Sequence, residues 1–119
     1  MKNNIQKNSY LICVVLFDDR YLDEILLGLT SISEGNITII DAVSGEENLS
    51  RSIPIFAQFV GMTGKKLCKV LFSMVTIENA ASNLIDALLE AGLDFAGLSI
   101  GEIYVVKLSE ALVVDKIER

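Results

Sequence analysis

The sequence predicts an α+β sandwich of order β-α-β-β-α-β, with a long irregular loop between the second and third strands. Three observations carry this. Four apolar, β-branched-rich runs fall at residues 10–17, 36–43, 67–75 and 102–108. Two segments between them, 19–34 and 79–91, repeat their apolar residues at helical spacing. The stretch 46–66 fits neither pattern.

Residues 1–9 are polar and read as an N-terminal tail, leaving 10–119 as one domain. The run 10–17 is continuously apolar, as in a strand covered on both faces. Asp18 or Asp19 can cap the helix that follows, with Asp23 and Glu24 at its positive end. Leu22, Ile25, Leu26, Leu29 and Ile32 form its buried stripe, and Glu34-Gly35 ends it. The second strand, 36–43, runs into Ser44-Gly45. Loop 46–66 holds Pro54, a start for a short helix carrying Phe56, Phe59 and Val60. A connection this long inside a compact domain is usually functional.

In the third strand, 67–75, Cys68, Val70, Phe72 and Met74 alternate with Lys69, Leu71, Ser73 and Val75. Thr76 or Asn79 caps the second helix, whose stripe is Ala81, Leu84, Ile85, Leu88 and Ala91. Gly92 suits a left-handed terminating residue. A glycine-rich loop spans 92–101, followed by a strand at 102–108 and a short apolar fifth at 111–114. This order is the ferredoxin-like split βαβ, and right-handed crossovers place both helices on one side of the sheet.

Composition sharpens the picture. The 119 residues are 51% hydrophobic and 7% aromatic, with mean hydropathy +0.48. That excludes disorder, and no apolar run reaches the ~20 residues of a membrane span. Two helices cover one sheet face, yet the strands are apolar on both. The bare face would carry Ile12, Val14 and Leu16, or alternatively Cys13, Val15 and Phe17, together with Leu71 and Val75. Such a patch exceeds what monomers expose, so the face is expected to pack against copies of the chain rather than under the polar tails 1–9 and 111–119.

Sixteen acidic residues against ten basic ones, a net charge of −6, argue against a nucleic-acid partner. With no histidine, serine– or cysteine–histidine catalysis is excluded. Cys13 and Cys68, each in an apolar run, read as core thiols of a reducing compartment, with a cross-strand disulfide as the alternative; two isolated cysteines do not make a zinc site. No secretory leader is recognisable, so a cytoplasmic location is expected. Residues 61–66, GMTGKK, have the wrong glycine spacing for a nucleotide phosphate loop. Glu46-Glu47 alone does not specify a cation site. Ile55, Phe56 and Phe59 place large apolar groups in the loop, either tucked against protein or anchoring a partner.

Certain motifs give the chain a relative. Leu22-Asp23-Glu24-Ile25 is similar to the "LDEV" that opens the first helix of the PII signal-transduction family. Gly35 through Gly45 resembles that family's second strand, running to the base of its T-loop. The segment 101–112, GEIYVVKLSEAL, is similar to the family's "GKIFVLPVEEAI". The chain thus resembles a divergent PII-like protein over about residues 10–115. The resemblance implies a homotrimer without enzymatic activity, a small-molecule effector in inter-subunit clefts, and a T-loop that engages a protein partner such as a membrane transporter. The cleft would lie near Asp41, Ser44 and Gly45 at the loop base and Ile100, Gly101 and Glu102 at the glycine loop; Ile55, Phe56 and Phe59 would meet the partner. The family's phosphate-loop lysine is Glu102 here, and arginines that follow its last strand fall at Val113 and Asp115. Carboxylates beside a triphosphate repel it by about 1–4 kcal/mol near a surface, which speaks against ATP held in the usual PII manner and leaves the ligand open. The alternatives are a metal-responsive trimer like the CutA proteins, a small ferredoxin-like enzyme using carboxylates such as Asp41 and Glu102, and a purely structural assembly.

Overall fold

A computed structural model describes residues 3–6, 8–45 and 67–114. The elements are β1 (Asn3–Gln6), β2 (Ser9–Leu16), a 3-10 turn (Asp19–Tyr21), α1 (Leu22–Ile32), β3 (Thr38–Val43), β4 (Leu67–Val75), α2 (Ala80–Glu90), α3 (Phe95–Leu98), β5 (Gly101–Leu108) and β6 (Ala111–Val114). The main sheet runs β3-β4-β2-β5 and is antiparallel throughout. With α1 and α2 as crossovers this is the ferredoxin-like order anticipated from the sequence. Loop 46–66, including Ile55, Phe56, Phe59, Glu46-Glu47 and the 61–66 motif, lies outside the described residues.

The core lies between the sheet and the helices. Ile12, Val14 and Leu16 of β2 and Leu71 and Val75 of β4 have no exposed surface, and they meet Ile25 and Leu29 of α1 and Leu84 and Leu88 of α2. Register fixes this face, because Val14 lies opposite Leu71 and Ile12 opposite Ser73. Leu71 and Val75 were expected on the bare face and are instead helix-side core. The opposite face is formed by Cys13 and Val15 with Val70 and Phe72, joined by Ile40, Tyr104 and Val106. The last three are 47%, 49% and 54% exposed.

Asp18 caps a 3-10 turn ahead of α1 rather than α1 itself, whose N-cap, Tyr21, makes no side-chain capping hydrogen bond. The Asp18 carboxylate accepts the Arg20 backbone N–H at 3.1 Å, and a 3-10 turn leads into Leu22. Ile25 and Leu29 are buried, flanked by half-buried Leu22, Leu26 and Ile32. Gly28 brings the helices together: a Cβ there would stand 2.7 Å from Leu84 Cδ1. Gly92 terminates α2 with φ +91°, as its position suggested.

The Asp18 carboxylate also accepts three hydrogen bonds from the Arg20 guanidinium, Nε to Oδ1 at 3.0 Å, Nε to Oδ2 at 3.2 Å and Nη2 to Oδ2 at 2.6 Å. These hydrogen bonds hold the Asp18 pKa below its usual value. A lowered folded-state pKa gives stability that is complete above the unfolded value of ~3.9 and is lost as pH falls through the folded one. Asp18→Asn keeps a capping oxygen but removes the charge. Its melting temperature is expected below wild type at pH 7, with the gap closing between about pH 5 and pH 2; a gap independent of pH refutes the assignment.

Two expectations change. Within the polar tail 1–9, Asn3–Gln6 forms β1 and pairs with β6, Ile5 opposite Leu112. This ribbon prolongs the β2–β5 pair beyond Ser9–Leu108 after a turn at Asn8, whose φ is 58°. The glycine-rich stretch 92–101 contains a short helix, α3, whose Asp94 cap accepts the Gly97 N–H at 2.9 Å. Phe95 of α3 is buried in the core.

Candidate functional site

The pairing register brings the ends of β3, β4, β2 and β5 together at the base of loop 46–66. One row across the sheet reads Asp41, Lys69, Leu16, Gly101, and the next Ile40, Val70, Val15, Glu102. Side chains alternate between faces along a strand, so the first row points to the helices and the second away from them. The six cleft residues expected from the sequence therefore divide.

Ser44, Gly45 and Glu102 share a concavity of about 590 Å³ on the bare face. Its floor is Val15, Val70, Cys68 and half-exposed Phe17. Such a volume falls in the range of small-molecule sites, ~300–1,000 Å³. The Tyr104 hydroxyl, one step along β5, donates to the Glu102 carboxylate, which pushes the Tyr104 pKa up. Among the described strand residues, Glu102 is the single ionised group on this face.

Asp41 lies on the other side, in a second concavity of about 450 Å³ with Asp18 and Asp19. There it is paired with Lys69 at 2.5 Å, a contact that raises the lysine pKa. The Asp18 carboxylate is held by Arg20. No group of three or more acidic or cysteine side chains suited to a metal ion occurs among the described residues.

Ile100 and Gly101 serve packing. Ile100 is 6% exposed, and its carbonyl accepts the Phe17 N–H at 2.8 Å. Gly101 lies where a Cβ would meet the Val15 carbonyl oxygen at 2.3 Å. The partner residues Ile55, Phe56 and Phe59 are outside the described segments.

Both cysteines are free thiols. Cys13 is opposite Phe72, four residues along β4 from Cys68. At ~3.3 Å per residue that separation exceeds the ~7 Å Cα limit of a disulfide, which excludes the intrachain bridge. Burial raises the Cys13 pKa.

Sequence reasoning did not identify Phe17, Cys68 and Val70 as lining, nor the Tyr104–Glu102 contact. The signal was present in the period-two alternation, but only the strand register decides which alternate faces the concavity.

No family model and no curated protein matches this sequence. Two solved structures of CPII, a nitrogen regulatory PII-like protein from Thiomonas intermedia K12 bound to ADP, AMP and bicarbonate, are similar to it. One is 17% identical over 95% of this chain and 94% of that one, with a TM-score of 0.49. The other is 16% identical over 98% and 100%, with a TM-score of 0.47. Among the described residues no helix is long and apolar enough to cross a membrane.

Proposed function

We propose that the protein is a PII-like regulator without enzymatic activity. It assembles as a homotrimer through the bare sheet face, takes a small effector in a cleft at the base of loop 46–66, and acts from the cytoplasm on a protein partner through that loop. A membrane transporter is the first partner class to test. The observation that carries the reading is the continuity of two features: an apolar sheet face that no described helix or terminal strand covers, and the concavity at its edge beside Ser44 and Gly45. Burying the face removes the half-exposed Ile40, Tyr104 and Val106 from water, and contiguous apolar patches of this kind mark interaction surfaces. Closing it also places each concavity beside a second subunit, where an effector can bias loop conformation.

Light scattering is expected to give three times the 13.0 kDa chain mass. Hydrogen exchange across residues 46–66 is expected to slow with one of a panel of adenine nucleotides, bicarbonate, cyclic dinucleotides and small organic cations such as benzamidine and phenethylamine. The panel includes ADP, AMP and bicarbonate, to which CPII is bound. A predominantly monomeric protein overturns the assembly, and unchanged exchange with every compound overturns the effector role.

A further inference from the structure

The concavity lined by Ser44, Gly45 and Glu102 has an apolar floor and a carboxylate at its rim, and the charge it receives from the described residues is one-sided. The described residues include three cations. Arg20 is held by the Asp18 carboxylate, Lys69 pairs with Asp41 on the helix side of the sheet, and Lys107, opposite Tyr10, also belongs to the helix side. None lines the concavity, whereas Glu102 does. Among the described residues, a phosphate or carboxylate ligand entering it would meet a like charge and no compensating one.

A cation meets the opposite. A carboxylate offers about four acceptor positions, and the Tyr104 hydroxyl uses one, leaving others for ligand N–H groups. Phe17, half exposed in the lining, presents an aromatic ring of the kind that attracts an ammonium or guanidinium group. Val15 and Val70 suit an apolar body. A further consideration comes from assembly. If the face closes against a second subunit, Glu102 loses water, and a desolvated carboxylate without a counter-charge is strongly disfavoured. A bound cation would neutralise it.

We propose that this concavity takes a small organic cation, an ammonium, amidinium or guanidinium group on an apolar body, anchored by Glu102. The proposal deepens the effector reading and rests on it for the role of the site.

The test is calorimetric titration of the full chain with matched pairs: phenethylamine against 3-phenylpropionate, and benzamidine against benzoate, with ATP as a polyphosphate probe. The cations are expected to bind at least tenfold more tightly than their anionic counterparts and than ATP. Glu102→Gln is expected to erase that preference while the assembly mass stays the same. Equal or tighter binding of the anions or ATP, no binding of either cation at millimolar concentration, or a preference that survives Glu102→Gln overturns the proposal. Light scattering on the same samples separates the two readings. A monomer that binds cations through Glu102 overturns the assembly and supports this inference; a trimer that ignores them does the reverse.

Discussion

Cys13→Lys is expected to leave the subunit folded and to reduce the proposed assembly to single chains of 13.0 kDa. Cys13 sits on central strand β2 between Phe72 and Tyr104, in the middle of the bare face and half-buried in the isolated subunit. In a monomer, a lysine there can lay its methylene stem over these rings and extend its ammonium into water. In a closed interface the same group would be desolvated once per subunit, at several kcal/mol each, and the described residues of this face offer it few counter-charges. The adjacent Val14→Lys supplies the contrast. Val14 has no exposed surface and points into the helix-side core, so a charge there is expected to abolish folding rather than assembly. Circular dichroism with light scattering reads both. A Cys13→Lys protein with unchanged mass rules out this face as the interface.

The pair also shows where sequence patterning runs out. The boundaries of β4 at Leu67 and Val75 were legible because the apolar run lies between Lys66 and Thr76. The α1 stripe was legible because helical spacing sorts faces without outside help. Strands apolar on both sides have no such internal marker. Whether Val14 or Cys13 faces the helices depends on pairing, and a one-residue change of register would exchange them. For that reason Leu71 and Val75 were assigned to the wrong face, although their strand was correct. β1 was missed for a related reason: Asn3–Gln6 contains one apolar residue, and its partner strand lies over a hundred residues away at Ala111–Val114. At the loop base, the candidate positions were recognisable one by one from motifs. That Asp41 belongs with Lys69 on one side, and Ser44, Gly45 and Glu102 together on the other, follows from alternation across four paired strands.

Gly101 carries the other large effect. Gly101→Ala is expected to destabilise the fold by about 3 kcal/mol, the upper end of typical overpacking costs, lowering the melting temperature by about 10 °C or more. The added Cβ would stand 2.3 Å from the Val15 carbonyl oxygen, 2.9 Å from Phe95 Cζ and 3.3 Å from Leu16 Cα. Two of these neighbours are backbone atoms of β2, held on its far side by pairing with β4, so β2 cannot retreat without disturbing the sheet centre. β5 would have to move instead, loosening the Gly101–Leu16 register and the Phe17–Ile100 hydrogen bond beside it. Gly45→Ala is the control: nothing lies within 4 Å of its Cβ, and a change within ~0.5 kcal/mol is expected. Urea denaturation of both variants decides the matter, and a Gly101→Ala protein within 1 kcal/mol of wild type would falsify the packing role. The consequence reaches the ligand question. By resemblance, the glycine before Glu102 would be assigned to ligand contact, yet its surroundings demand glycine whether or not anything binds. Lost binding in a Gly101 variant therefore reports a displaced strand, whereas Glu102→Gln alters the charge of the concavity and leaves that strand in place.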